Sequence, residues 1–298
     1  GIFSSVAHVM LPGDFISFRL TGTVTSTPSA LSEGVFWDFT KDALSEEILQ
    51  YFGFGKELFP VTREVFSEHG QLDSKVAAQL SLRSGIPVSY KAGDQPNNAL
   101  SLGVTEPGEV AATAGTSGVI YAVSDQLTFD PLSRVNSFAH VNHRSDRIRT
   151  GVLLCINGTG ILNSWARQQL GANISYAAMN ELAAKAAPGS EGIRVFPFGN
   201  GAERMLQNRM TGADFSGIDL NRHGQAQIFR AIQEGIAFAF RYGIDIMRSN
   251  QLYPTSIRAG LANLFQSEIF LQSFVSATGV PVTLYAADGS VGAALGAG

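Results

Sequence analysis

The chain has 298 residues, 45% of them apolar and 15% charged, which excludes a disordered polymer and leaves room for one or two globular domains. A net charge of −4 with no Lys/Arg cluster leaves no electrostatic footprint for nucleic acid. No apolar run reaches the roughly 18 residues that a membrane span needs. No signal peptide is visible, and the single cysteine, Cys155, excludes a disulfide framework and suits a reducing, cytoplasmic compartment.

Residues 1 to about 90 read as mainly helical. Apolar residues at helical spacing from Asp14 to Leu20 predict a helix that stops at Thr21-Gly22. A second helix is expected from Thr40, as N-cap, to Phe52, with Leu44, Ile48 and Leu49 on one face and Gly53 after it. A third is expected from Asp73 to Ser84, stopping at Gly85. Asp14 and Arg19 read as a solvated helix face, and Trp37-Asp38 as local packing plus a cap.

Beyond residue 90 the texture changes to strands feeding glycine turns. Ile86–Tyr90 is a β-type run leading into Gly93-Asp94. Glu109–Ala114 and Val119–Val123 form a hairpin with Gly115-Thr116-Ser117-Gly118 at its tip. Gly151–Ile156 reads as a buried strand, and Gly160–Leu170 as a helix with Trp165 on its apolar, core-facing side. Ala226–Asn250 reads as a long helix with Ile228, Ile232, Ile236, Phe240 and Ile244 at spacing four. A strand at Ser256–Arg258, a helix at Gln266–Thr278, a strand at Pro281–Tyr285 and a small-residue helix from Ser290 complete the series. The result is a mixed α/β chain with a boundary near residue 90, dividing it into 1–90 and 91–298.

Each chemical motif has a plainer alternative. Asp94, on a glycine turn after a strand, can accept a proton from a hydroxyl attacking a phosphoryl group, or simply shape the turn. In Gly115-Thr116-Ser117-Gly118, glycines allow close backbone approach and consecutive N–H groups form an anion-binding concavity; the alternative is an ordinary hairpin turn. It is neither a Walker-A loop nor a nucleophile elbow. Asn157-Gly158-Thr159-Gly160 opens a helix whose start can receive an anion, or is an Asn-Gly turn with a cap. Arg258–Asn263 follows a strand and can lie along an adenosine, or merely connect to the next helix. The five histidines show no metal spacing beyond the loose pair His140 and His143 and read as surface or capping residues.

In their order, these blocks resemble the FGGY carbohydrate kinases, and within them the branch acting on D-xylulose. Met10–Gly22 is similar to the family's Leu-Pro-x-Asp-Tyr segment ending in Leu-Thr-Gly, and Gly34–Asp38 to its next block. Gly93-Asp94-Gln95 falls where the family has Gly-Asp-Asn, and Gly115–Gly118 on its second phosphate motif. Gly201-Ala202-Glu203-Arg204 resembles its Gly-Glu-Arg loop, and Ala287–Ala297 its closing Gly-Ala-Ala-x-Gly-Ala helix.

The resemblance implies an α/β, ribonuclease H-like (actin-like ATPase) fold of two domains, with ATP and sugar in the cleft between them. Residues 1–90 would be the remainder of the amino-terminal domain and 91–298 the carboxy-terminal, nucleotide-binding domain. Asp94 would be the general base on the sugar hydroxyl and Gln95 a sugar contact. Gly115, Thr116 and Ser117 would hold the ATP phosphates, Gly160 and Asn163 would lie near the nucleotide, and Gly260 and Asn263 would line the adenosine site. Mg²⁺ would neutralise charge on the phosphates. The implied reaction is phosphorylation of D-xylulose to D-xylulose 5-phosphate. Other acceptors such as ribulose or glycerol, and a non-catalytic nucleotide-binding relative, are the alternatives. Neither nucleic acid nor membrane is an expected partner; a homodimer is. Gln95 replaces the family's Asn, and the adenosine motif keeps only Gly260. The family's first phosphate loop and final helical segment have no counterpart, so the chain reads as a piece of a longer enzyme, expected to turn over poorly by itself.

Overall fold

The computed structural model describes residues 2–298. The first part is built from short elements: helices α1 (Pro12–Thr21), α2 (Pro28–Glu33), α3 (Glu46–Phe52) and α4 (Ser74–Leu80), with strands β1 (Thr25–Ser26), β2 (Trp37–Asp38), β3 (Ala43–Leu44) and β4 (Val61–Thr62). α1 ends as expected: Gly22 is left-handed, and its N–H donates to the Phe18 carbonyl at 2.7 Å. The helix expected from Thr40 begins instead at Glu46, capped by Ser45. Its first residues are claimed by other structure. Asp38 Oδ1 accepts from the Thr40 and Lys41 amides, and Ala43–Leu44 pairs antiparallel with Trp37–Asp38. The helix expected to run to Ser84 stops after Leu80, because Ser81 takes the left-handed conformation and closes it. The run Ile86–Tyr90 is not a strand: Pro87 has no N–H for a ladder, and its pairing with Gln71 is a single bridge.

After α5 (Asp94–Ser101) come six strands of one sheet: β5 (Glu109–Ala114), β6 (Gly118–Ser124), β7 (Asn136–Ala139), β8 (Thr150–Ile156), β11 (Ser256–Gly260) and β12 (Val282–Tyr285), in the order β12-β11-β5-β6-β8-β7. β12, β11 and β5 are parallel; β5, β6, β8 and β7 pair antiparallel. Three antiparallel strands flanked by two parallel ones is the ribonuclease H-like arrangement that the resemblance implied. Between β8 and β11 lie α6 (Gly160–Gln169), α7 (Tyr176–Ala183), the small pair β9 (Arg194–Phe196) and β10 (Asp214–Ser216), and α8 (Gln225–Ser249). α9 (Glu268–Thr278) joins β11 to β12, and α10 (Gly289–Ala297) follows β12.

The sheet is covered on both faces. Because strand side chains alternate, Val110 and Ala112 point to one face and Ala111 to the other. The first face buries Ile120, Leu154 and Ile156 against Ile232, Ile236, Phe240 and Ile244 of α8. Phe240, Phe270 and Phe274 pack ring against ring, with centroids 5.1–6.1 Å apart. The second face buries Ala111, Tyr121 and Val123 against Ala99 and Leu102 of α5. The first part has its own small core of Leu31, Trp37, Leu49 and Phe59, and it joins the sheet edge where the Ala139 amide donates to Ser32 Oγ at 2.8 Å.

Two burial expectations fail. Trp165 is 44% exposed, because the inward stripe of α6 is Leu162, Asn163 and Ala166, and position 165 falls outside it. The histidines are not all on the surface: His69 and His140 are fully buried, the latter 2.9 Å from the Tyr121 hydroxyl.

Candidate active site

Asp94 stands on a helix start rather than a plain turn. Gly93 is the N-cap of α5, its N–H donates to Ser29 Oγ at 2.9 Å, and Asp94 is the first helical residue. The carboxylate borders a cleft of about 650 Å³, with Asp14, Glu33, Lys91, Asn97 and Ala293 on its other walls. Gln95 follows on the same turn, its amide 3.5 Å from Asp94 Oδ2.

The cleft holds two features that the sequence reading missed. Asp14 is not part of a solvated pair with Arg19. It is buried, and Lys91 Nζ donates to its Oδ1 at 2.7 Å and to the Thr25 carbonyl at 2.6 Å. Its second oxygen accepts from Ser26 Oγ at 2.6 Å. Arg19 instead lies over the Phe15 ring. Burial pulls the Lys91 ammonium below its ordinary range, although Asp14 pulls it up. The second feature is Glu33. Burial, and then the charge of Asp94, push its carboxyl up to about 7, against the opposing pull of the Gln95 and Asp94 amides. Its Oε1 has no hydrogen-bond partner. Nothing in the spacing of residues 33 and 94 announces this meeting. The only trace is an acid set in the apolar stretch Ala30–Trp37.

The turn at Gly115–Ser117 joins β5 to β6, as expected of the hairpin. The Thr116 and Ser117 side chains stand at the surface or half-buried. The start of α6 docks against this turn. Gly160 N–H donates to the Gly115 carbonyl at 2.9 Å and Ile161 N–H to the Thr116 carbonyl at 3.1 Å, while Thr159 Oγ1 bonds both carbonyls at 3.2 Å. The Leu162 and Asn163 amides turn back to the Thr159 carbonyl. The first four amides of α6 are therefore spent on protein, and the expectation that this helix start receives an anion is corrected. Gly160 serves another end: a Cβ there would overlap the Gly115 carbonyl, so glycine permits the docking. Asn163 lies buried with its Oδ1 unpartnered, an acceptor left available.

Gly260 and Asn263 come together with this region. β5 and β11 are parallel, and Gly260 ends one strand while Ala114 ends the other. Both residues line a cavity of about 170 Å³ that also touches Asn98, Ala114 and Asp288. Asn263 Nδ2 would stand 3.6 Å from a Cβ placed on Gly115, so the phosphate-type turn and the Gly260–Asn263 segment are neighbours. Ligands of open α/β sheets gather beyond the carboxyl ends of parallel strands, which is where this cavity lies. α5 connects the two concavities, with Asp94 on the larger and Asn98 on the smaller. α10 clamps α5: Asn97 Nδ2 donates to the Gly289 carbonyl at 2.8 Å, and Gly292 lies against the Asn97 backbone so closely that any side chain would overlap it.

The Gly201–Arg204 loop braces the site from outside. Glu203 is buried and accepts the Asn157 amide at 2.9 Å, with burial raising its pKa, while Arg204 reaches the Ser133 carbonyl. Among the described residues, no group of three or more His, Cys, Asp or Glu is placed to hold a metal ion, and no helix is long and apolar enough to cross a membrane.

Comparison with known proteins fits this layout. A xylulose kinase of Klebsiella pneumoniae is 27% identical over 296 residues, and one of Escherichia coli strain K12 is also 27% identical over 296 residues. Each alignment covers 99% of this chain but 59% of the relative, so the chain spans little more than half the length of these proteins. A solved structure described as a xyloylose kinase from Brucella ovis superposes with a TM-score of 0.88 at 25% identity, covering 99% of this chain and 59% of that one. The xylulose kinase of Rhodospirillum rubrum shares the fold, with a TM-score of 0.87 at 24% identity and the same coverage. Residues 1–101 match the N-terminal domain and residues 110–298 the C-terminal domain of a single family, and on that match the chain belongs to the FGGY family of carbohydrate kinases.

Proposed function

We propose that the protein phosphorylates a sugar hydroxyl at the expense of ATP, with D-xylulose, giving D-xylulose 5-phosphate, as its acceptor. The observation that carries the reading is Asp94 at the first position of α5, on the wall of a cleft large enough for a pentose. The xylulose kinases among its relatives favour the ketopentose.

The residues fit the nucleotide. The Thr116 and Ser117 side chains lie on an open glycine turn, Asn163 keeps an unpartnered buried acceptor, and Gly260 and Asn263 border the adjoining cavity. In this reading Thr116, Ser117 and Gly115 hold the phosphates, and Asn163, Gly260 and Asn263 hold the nucleoside. Bound ATP supplies the phosphoryl group, and Mg²⁺ carried on its phosphates supplies charge neutralisation. Gln95 hydrogen-bonds the sugar and orients the reacting hydroxyl. The Asp94 carboxylate takes that hydroxyl's proton as its oxygen forms the new bond to phosphorus, so no unstabilised oxonium accumulates. The reaction belongs to the cytoplasm, where an unpaired Cys155 is stable.

The test is ADP release in a coupled assay with Mg-ATP and a panel of D-xylulose, ribulose and glycerol, using the protein at its natural length beside Asp94→Asn. Turnover dependent on D-xylulose that vanishes in the variant, with Mg-ADP binding retained, is the expected result. A folded protein that releases no ADP with any sugar would overturn the reading in favour of a non-catalytic nucleotide binder.

A further inference from the structure

Glu33 is the one acidic group in the Asp94 cleft that the proposed mechanism leaves without a task. It ends α2, and its carboxyl lies directly over Gly93: a Cβ on that glycine would overlap the carboxylate. The absence of a side chain at residue 93 is what lets the two acids approach. Oε1 is shielded from solvent and finds no donor in the protein, while both carboxyls border the same cleft. An ionised oxygen in that position is costly, whereas a protonated one gains a donor that can be used. Two carboxyls sharing a site hold a proton between them, because both cannot ionise cheaply.

We propose that Glu33 is a second carboxyl of the acceptor site, holding one proton against the Asp94 carboxylate and offering that O–H to an oxygen of a polyhydroxylated acceptor. The acceptor half of this inference rests on the sugar-kinase reading; the proton half does not. The groups around Glu33 agree with the assignment. From α5 it faces Asp94, whose negative charge holds the proton on. From β6 it faces the buried Tyr121 phenol, which stays neutral in its apolar surroundings. Tyr90, likewise kept neutral by burial, and the Lys91–Asp14 pair complete the cleft wall, and the pair neutralises itself. No cation facing Glu33 competes for its ionised form.

The sign of the pH effect follows. Glu33 holds its proton up to about pH 7 and loses it above, so acceptor capture is strongest on the acid side and weakens as pH rises. For one proton, kcat/KM falls by about tenfold from pH 6 to pH 8 through this group. Glu33→Gln keeps a neutral N–H donor at every pH and should remove this fall. Comparing the pH 6 to pH 8 ratio of the two proteins cancels the titration of ATP itself. A ratio in Glu33→Gln equal to that of the wild type overturns the acceptor role.

The proton itself is read without activity, by ¹³C-carboxyl NMR of the full-length protein. A Glu33 midpoint near 7, moving down in Asp94→Asn, is the expected result. A midpoint at the ordinary glutamate value of 4.5 overturns the proposal, whatever the enzyme does. If no sugar is phosphorylated, the function proposed above fails, while the NMR midpoint still decides whether the pair shares a proton.

Discussion

Replacing Lys91 by Met tests how the cleft floor is held. The ammonium makes two contacts, to Asp14 Oδ1 at 2.7 Å and to the Thr25 carbonyl at 2.6 Å, and is 8% exposed. Met keeps most of the alkyl stem, so the cavity term is small and the loss is electrostatic. Asp14, 4% exposed, is left with Ser26 as its hydrogen-bond donor. Stripping the partner from a buried charge costs about 3–5 kcal/mol, and that is the expected loss in unfolding free energy. The short contact and the lowered Lys91 pKa point in different directions, and burial wins: the intact pair is poor net stabilisation, yet half of it is worse. Because the folded-state pKa of Lys91 is depressed, the cost of burying it is present at neutral pH and is relieved only as pH rises into the lysine's range. The double variant Asp14→Asn/Lys91→Met removes both charges and should recover a large part of the loss. Urea unfolding of the wild type, single and double variants forms the cycle. A single variant that loses less than about 1 kcal/mol, or a double that is no better than the single, would refute this account.

Two further outcomes follow from the same geometry. Gly160→Ala forces a methyl into the Gly115 carbonyl, a backbone atom that cannot swing away, so stability should fall by about 1–3 kcal/mol and the thermal shift given by Mg-ADP should shrink. An unchanged ADP shift would separate the α6 docking from the nucleotide site. His140 is fully buried beside Tyr121, and burial lowers its pKa from 6.5 to about 3. The unfolded chain therefore binds the extra proton first, and stability should drain away as pH falls from 6.5 toward 3. Acid titration of His140→Asn, followed by far-UV circular dichroism, should show a shallower slope over that window.

The large elements were legible because their signals are redundant. The apolar positions of α8 repeat every four residues for six turns, and the β5–β6 hairpin brackets an evident glycine turn. Short elements misled because one local hydrogen bond outweighs propensity: Asp38 captures the Thr40 and Lys41 amides and delays α3, and Ser81 ends α4 with a left-handed residue that sequence does not announce. The glycine motifs could be found by type, and the fold gathers Gly115, Gly160, Gly260 and Asn263 at one end of the sheet. The acids could not. Glu33 reaches Asp94, and Asp14 reaches Lys91 across 77 positions, through packing that no periodicity encodes. Trp165 and the buried histidines were misjudged for the same reason, since residue type ranks burial only on average.

The clamp of α10 on α5 has a bearing on when the protein becomes competent. Asn97 and its partner Gly289 are 192 positions apart. At typical rates of synthesis, about 5–20 residues per second, the helix carrying Asp94 emerges from the ribosome roughly 10–40 s before the residues that hold it. Contacts of such long range also close late, after the local hairpin and helices have formed. The nascent protein thus passes through a stage with a folded hairpin and an unsecured base, and the cleft is finished only when the last helix arrives.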